Sequence, residues 1–420
     1  MRLSIANSLE TARSPLNILH VIDSLSPADG GLPESVRQLV TAQIDAGDGV
    51  ELVCLDDPDD SFLVGVGCPV HALGPAHLGK YGFSPRLWRW LRGNVGRFDG
   101  IVVNGIWTFP GVAVRFASRR AHVAYGVFPH GALDPWFNRS YPLKHLKKRL
   151  YWRLQHPVLR DARAVMFTSE TERDLAATSF SPCKWKSVVV PIGINDPEER
   201  KAKGSEPEGN SSDQMEAFFR ALPTLRSRRY LLFLARIHEK KGCDLLIEAF
   251  AKVSASVPDV DLVMAGPDQE GMMARLQRQA ASLGISSRVH WPGMIGGDLK
   301  WGALRGAEAF VLPSHQENFG VAVVESLAAG RPVLISNQVN IWPEIEGDGA
   351  GLVDEDTARG CERLMRRWFA LSATDRDAMA ARARSSFLSR YALRQAVASI
   401  NHIFWRGGNV REATMTARPR

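Results

Sequence analysis

The chain has 420 residues, which is too long for one ordinary hydrophobic core, so we expect two domains of about 200 residues each. Its 45% hydrophobic and 23% charged residues are typical of a globular protein, and no apolar run is long enough for a membrane span. The net charge of +7 favours anionic partners such as nucleotide phosphates, an acidic lipid surface or nucleic acid, although a solvated basic surface explains it equally well.

The N-terminus and the cysteines indicate a cytoplasmic protein. Residues 1–14 are predicted to be a loose leader, and because the N-terminus lacks a long apolar stretch we predict no signal peptide. The five cysteines are scattered without a Cys-x-x-Cys spacing, so we predict reduced thiols and no structural zinc.

Strands and helices alternate through 15–196, which predicts an N-terminal Rossmann-like domain with a doubly wound sheet. The strand 16–22 is followed by Gly30-Gly31 and then by a helix. This glycine loop is not Gly-x-Gly-x-x-Gly, so a dinucleotide cofactor is not supported. The Gly-Gly pair either lets the backbone approach a ligand closely or forms an ordinary turn.

Two other polar motifs follow strands of this half. The acidic loop 56–60 contains Asp57 and Asp59 in an Asp-x-Asp pattern that could hold a divalent metal ion. Because Pro58 lies between them, we interpret the loop as a solvated turn and predict no metal site. His130 comes directly after the strand 123–128, which suits an active-site residue, although a structural histidine is the commoner case.

The segment 142–156 is predicted to be a basic amphipathic helix. Four leucines recur at helical spacing and cations cover much of the remaining surface: Leu143, Leu146, Leu150 and Leu154 beside Lys144, Lys147, Lys148, Arg149 and Arg153. Such a helix suits an anionic membrane surface. The alternative is a helix that packs on its own domain and exposes a solvated basic face.

The second half repeats the strand–helix pattern. Residues 197–214 lack apolar periodicity, so we predict a mobile linker over 197–227. A C-terminal Rossmann-like domain is predicted over 228–385, facing the first domain across a cleft. The segment 386–406 is predicted to be a helix that packs back on the N-terminal domain, and 407–420 a disordered tail.

Loops at three strand ends of this second domain carry candidate site residues. Arg236 and Lys241 follow the strand 230–234, Gly266 follows the strand 260–265, and Glu317 follows the strand 309–312. If these strands are neighbours, the residues meet at one edge of the sheet.

A helix that begins after Gly320 completes the predicted site. Its N-terminal amides favour phosphate, and Arg236 and Lys241 would add positive charge. Glu325 lies about two turns from Glu317 at 3.6 residues per turn and suits a ribose diol, whereas Glu317 suits sugar hydroxyls. The sequence therefore predicts a nucleotide-sugar site, and the alternative is a set of solvated surface charges.

This chain resembles the retaining glycosyltransferases of the GT-B fold, family 4 type. The resemblance lies in Glu317 and Glu325 at the E-x7-E spacing within 313–333, and in three further elements: Arg236…Lys241-Gly242, Gly30-Gly31 and His130-Gly131. It covers roughly 16–390, more strongly in the second half. It implies two facing, doubly wound α/β domains.

The resemblance also implies roles. Arg236 and Lys241 would hold the donor diphosphate and stabilise the departing nucleoside diphosphate, and Glu325 would bind the ribose. Glu317, with backbone amides near Phe319 and Gly320, would orient the donor sugar. His130 would lie against that sugar, the Gly31 backbone would approach the phosphates, and Gly266 would border the donor.

The resemblance implies a metal-independent hexosyltransferase without a cofactor. We expect a nucleotide-sugar donor, a saccharide acceptor that is lipid-linked in surface polysaccharide biosynthesis, and a peripheral position on the inner face of the cytoplasmic membrane. Two departures, Ile192 where the family often has Asn and Glu308 where Asp is usual, do not affect the diphosphate residues. An epimerase or phosphorylase on the same fold remains open, and so does a basic nucleic-acid-binding protein, although no nucleic-acid motif is present.

Overall fold

The computed structural model describes residues 14–29, 31–140, 142–202, 211–268 and 271–405. The predicted tail 407–420, Gly30 and all but the last residue of the predicted leader lie outside the described residues. Within the described part, no helix combines the length and the apolar character needed to cross a bilayer.

The N-terminal domain is built on a seven-stranded parallel sheet with the order β3-β2-β1-β4-β5-β6-β7. The strands are β1 (Asn17–Ile22), β2 (Gly49–Cys54), β3 (Val70–Ala72), β4 (Gly100–Asn104), β5 (Ala124–Phe128), β6 (Ala164–Phe167) and β7 (Ser187–Val189). The helices are α1 (Gly31–Asp45), α2 (Pro85–Asn94), α3 (Phe109–Ala121), α4 (Trp136–Ser140), α5 (Pro142–Arg160) and α6 (Glu170–Ser179). The strand order reverses between β1 and β4, so ligands are expected outside the carboxyl ends of these strands.

The C-terminal domain has a six-stranded parallel sheet with the order β10-β9-β8-β11-β12-β13. Its strands are β8 (Arg229–Leu234), β9 (Val260–Ala265), β10 (Val289–Gly293), β11 (Ala309–Leu312), β12 (Val333–Ser336) and β13 (Gly351–Asp354). Every residue of β9, β11 and β12 is buried, as continuous apolar strands of a parallel sheet require. Here the order reverses between β8 and β11.

The helices of this half are α7 (Pro197–Ala202), α8 (Ser211–Ala221), α9 (Cys243–Ser254), α10 (Met272–Ser282), α11 (Gly297–Gly306), α12 (Val321–Ala328), α13 (Trp342–Gly347), α14 (Ala358–Ala370), α15 (Ala373–Ser386) and α16 (Leu393–Phe404). The two predicted α/β domains are therefore both present, each with a doubly wound parallel sheet.

The predicted linker 197–227 differs from the structure where the structure describes it. It contains α7 and α8, and α8 belongs to the C-terminal core, where Phe218 is buried and its ring lies 5.6 Å from that of Tyr230. A Cβ atom on Gly302 of α11 would collide with the backbone of Gln214, so this glycine allows α8 and α11 to pack closely. The linker was predicted from the lack of apolar periodicity in 197–214, and the short amphipathic helix α8 begins within this polar stretch.

The domain boundaries also differ from the predicted ones. The N-terminal unit contains 14–167, 176–190 and the chain from Ala396, whereas Thr168–Leu175 and Pro191–Gln395 belong to the C-terminal unit. In α16, Nδ2 of Asn401 donates to Oδ2 of Asp48 at 2.8 Å. The ring of Phe404 occupies the space that a side chain at Gly100 would fill.

Candidate functional site

The loop after β8 carries both predicted cations to the β8–β11 switch point. Arg236 is exposed on this loop, and Lys241 ends its single 3-10 turn. Gly242 follows with a φ of 66°, and a Cβ atom there would collide with the carbonyl oxygen of Pro313 at the end of β11. Glycine at this position therefore allows the loops after β8 and β11 to lie in contact, which brings Lys241 next to the loop that contains Glu317.

Lys241 and Glu317 form an ion pair, in which Nζ donates to Oε2. The backbone of Glu317 is held on both sides, since its amide donates to the carbonyl of Gln338 at 2.9 Å and its carbonyl accepts from the amide of Asn340 at 2.9 Å. The carboxylate thus has a fixed position next to one of the predicted phosphate-binding cations. It neutralises part of that cation's charge.

Gly320 occupies the N-cap position of α12 with a φ of 75°. The preceding Phe319 is buried, and its ring meets that of Tyr391 edge-on at 5.8 Å. This packing fixes the entry of α12, whose first amides lack intrahelical acceptors and carry the positive end of the helix dipole. The predicted anion-binding end of the helix is therefore present at the carboxyl end of β11.

Glu325 lies in the second turn of α12 and pairs with Lys300 of α11. Nζ of Lys300 donates to Oε1 of Glu325 at 2.6 Å, and the Glu325 side chain is only 13% exposed. We did not predict Lys300 from the sequence, because the pairing depends on α11 lying beside α12. The lysine fixes one carboxylate oxygen and leaves the other as an acceptor for a ligand.

Gly266 follows β9 with a φ of 146°, and its amide donates to the carbonyl of Gly293 at 2.8 Å. A Cβ atom at this position would collide with the carbonyl oxygen of Ala235. Gly266 therefore lets the loops after β8, β9 and β10 lie close together.

Polar side-chain contacts that the sequence alone does not predict also hold the Glu317 loop. Asn318 accepts from Nδ2 of Asn340 at 3.4 Å and donates to Oγ1 of Thr168 at 3.3 Å. On the other side, Nδ1 of His315 lies 2.9 Å from Oδ2 of Asp356. These contacts hold the loop in one conformation at the strand end.

In the N-terminal domain, Gly31 is the first residue of α1, at the carboxyl end of β1. A Cβ atom built on it meets no other atom within 4 Å. The packing of the domain therefore does not require glycine here, and the space beside this residue is open.

His130 follows β5 with a φ of 50°, and its ring stacks on Phe128 at 5.2 Å. Burial lowers the pKa of His130 to about 3, so the imidazole is neutral at pH 7. Its Nε2 lies 3.4 Å from Oδ1 of Asn104. Because that oxygen can only accept, Nε2 carries the proton and Nδ1 is the acceptor of the ring.

Asn104 also connects His130 to a second buried histidine. Nδ2 of Asn104 lies 3.4 Å from Nδ1 of His20, whose Nε2 lies 2.7 Å from Oε1 of Gln43. Burial lowers the pKa of His20 to about 4. These contacts suit two neutral rings, and protonation of His20 would set its Nδ1–H against the Nδ2 donor of Asn104.

The acidic loop forms the turn that the sequence predicted. The amide of Asp57 donates to Oδ2 of Asp60 at 3.0 Å, and the amide of Asp59 donates to Oδ1 of Asp57 at 3.1 Å. Across the residues that the structure describes, no group of three or more His, Cys, Asp and Glu side chains is arranged to hold a metal ion.

Two family models match the chain. The model of a glycosyl transferase 4-like domain matches residues 30–193, and the model described as glycosyl transferases group 1 matches residues 214–386. The two matches follow one another along the chain and correspond to the two α/β domains.

Among individual proteins, a phosphatidyl-myo-inositol mannosyltransferase of Mycolicibacterium smegmatis is 32% identical over 32% of this chain and 34% of its own length. A mannosylfructose-phosphate synthase of Agrobacterium fabrum is 24% identical over 56% of this chain and 53% of its own length. The chain thus spans about a third to a half of the length of these relatives.

The crystal structure of Anabaena HepE in complex with UDP and glucose is similar over 92% of this chain and 98% of its own. The TM-score is 0.69 at 18% sequence identity. At this identity, the similarity establishes a common fold.

Proposed function

Because the chain belongs to the group 1 glycosyltransferases and has the GT-B fold, we propose that it transfers a hexose from a nucleotide sugar to a saccharide acceptor with retention of anomeric configuration. The observation that carries this proposal is the arrangement around the β8–β11 switch point. There Lys241, Glu317, Glu325 and the N-terminus of α12 lie on loops and a helix held by specific contacts.

The donor diphosphate would bind to Arg236, Lys241 and the first amides of α12. A diphosphate carries more negative charge than the single carboxylate that Lys241 meets now, so it competes effectively for that lysine. The same cations would stabilise charge on the leaving nucleoside diphosphate as the bond to the sugar breaks.

The remaining groups would orient the donor. Glu325, held through one oxygen by Lys300, would accept hydrogen bonds from the ribose diol. Glu317 and the amides near Phe319 and Gly320 would orient the sugar, since backbone hydrogen bonds already fix the main chain of Glu317.

In the reaction, the bond from the anomeric carbon to the diphosphate oxygen breaks, and a bond to the acceptor hydroxyl oxygen forms on the same face. The hydroxyl proton passes to the leaving phosphate, so no separate general base is required. His130 would hydrogen-bond a hydroxyl of the donor sugar as a neutral imidazole, in keeping with its lowered pKa. We propose that no metal ion takes part, and turnover that is unchanged by EDTA is the expected result.

The acceptor we propose is a lipid-linked saccharide of surface polysaccharide biosynthesis, reached by a cytoplasmic protein bound peripherally to the membrane. The names of the two relatives point to different acceptor classes, one a membrane lipid and one a sugar phosphate. The basic surface of α5 favours the lipid-linked class.

A thermal-shift screen against UDP-, GDP- and ADP-sugars tests the donor, because a bound donor raises the unfolding temperature by mass action. We expect one base to shift the transition, and the matching donor to be consumed only when an acceptor is present. Consumption without an acceptor would favour the epimerase alternative. Tight, salt-dependent binding of nucleic acid with no nucleotide-sugar affinity would contradict the proposal.

A further inference from the structure

Helix α5 turns four of its five leucines away from the N-terminal domain. Leu143, Leu146, Leu150 and Leu154 are 57–81% exposed. At about 100° per residue they lie within about 80° of the helix circumference. Trp152 and Leu159 lie on the opposite side and are buried. The sequence left open whether this apolar face packs on its own domain, and the structure places the opposite face there.

Cations border this leucine stripe on both sides. Lys147 lies along one border, Arg149 and Arg153 lie along the other, and all three are exposed. Lys148 instead turns towards the domain, with Nζ 4.7 Å from the centre of the Trp107 ring. The sequence of α5 contains no Asp or Glu, so its outer face combines apolar surface with unbroken positive charge.

We propose that the leucine stripe of α5 docks on an anionic lipid bilayer, with the leucines at the level of the upper acyl chains and Lys147, Arg149 and Arg153 at the lipid phosphates. An apolar stripe between cationic borders is the pattern of helices that lie in the plane of the interface. A second copy of this chain is a poorer occupant, because a symmetric contact would set the same cations against each other. An anionic bilayer complements both the apolar stripe and its charge.

This inference deepens the peripheral placement proposed above and rests on it for its biological role. Binding to lipid itself needs neither donor nor acceptor. Vesicle binding and sugar transfer can therefore fail independently, and each is measured without the other.

The experiment is co-sedimentation of the full chain with vesicles of phosphatidylcholine alone and of phosphatidylcholine mixed with phosphatidylglycerol. We expect binding at least tenfold stronger to the anionic vesicles and weaker at high salt. The variant Leu146→Gln/Leu150→Gln should bind more than tenfold more weakly, and Lys147→Gln/Arg153→Gln about fivefold more weakly per cation. Val64→Gln is the matched control: it removes another apolar side chain that is 82% exposed, and binding should not change.

Circular dichroism and thermal unfolding establish that each variant is folded. Failure of the wild type to bind anionic vesicles would overturn the proposal, and so would full binding by the double leucine variant. A wild-type dimer in size-exclusion chromatography that becomes monomeric in the leucine variant would assign the stripe to a second copy instead. A chain that binds vesicles but consumes no nucleotide sugar would overturn the proposed function and leave this surface intact.

Discussion

Replacing Glu325 tests most directly whether this site binds a nucleotide ribose. The carboxylate is largely buried, and its Oε1 is occupied by Lys300 at 2.6 Å, so Oε2 is the oxygen that can accept from a ribose hydroxyl. A hydrogen bond to a charged group contributes about 1.5–3 kcal/mol. Glu325→Ala should therefore weaken nucleoside diphosphate binding by roughly 10- to 150-fold.

Calorimetric titration with the preferred nucleoside diphosphate and its 2′-deoxy and 3′-deoxy analogues measures this effect. The wild type should bind at least one deoxy analogue more than tenfold more weakly, because the buried carboxylate then loses its partner. Glu325→Ala should bind the parent and both analogues with dissociation constants within about twofold of one another, since the carboxylate that accepts from the hydroxyl is gone.

The exposed Glu346 supplies the control, and Glu346→Ala should behave like the wild type. Glu325→Gln keeps an acceptor for Lys300 while removing the charge, so it should give an intermediate affinity. If Glu325→Ala still discriminates between the parent and the deoxy analogues as the wild type does, the ribose assignment is wrong.

Three further predictions each concern a single residue. Lys241→Ala should lower kcat/KM for the donor on the order of 100-fold, because the leaving group loses stabilisation. Lys252→Ala on α9 is the control and should not lower kcat/KM. Full activity of Lys241→Ala would exclude a role of Lys241 in stabilising the leaving group. Gly266→Ala should lower the free energy of unfolding by about 2–4 kcal/mol, because the new Cβ atom collides with the carbonyl oxygen of Ala235 and the backbone is strained. Gly284→Ala is the control and should cost about 1 kcal/mol, since Gly284 also has a positive φ but its Cβ would meet open space. Equal denaturation midpoints for the two variants would contradict this prediction. Folding lowers the pKa of His20, so its contribution to stability is present above pH 6.5 and falls as the pH drops towards 4. Between pH 7 and pH 5 the free energy of unfolding of the wild type should therefore fall by about 2 kcal/mol more than that of His20→Gln. Parallel pH profiles of urea unfolding for the two proteins would refute this prediction.

The sequence was sufficient where the signal is local. Buried parallel strands appear as short apolar runs, and the loops at their carboxyl ends follow directly in the chain, so Lys241, Glu317 and His130 could be placed at strand ends before the sheet order was known. The E-x7-E spacing likewise fixes Glu325 on the helix that follows Glu317. Each of these predictions depends on residues within one strand, loop and helix.

The tertiary structure decided what depends on which elements are neighbours. Lys300 reaches Glu325 from another helix, and Asn104 meets one histidine in β1 and another in the loop after β5, so no local pattern predicts either contact. The short helix α8 is stabilised by packing against α11. The polar sequence that flanks α8 gives no indication of this packing. On α5 the periodicity gave two opposite faces, and only the position of Trp152 in the domain core determined that the leucines face outward.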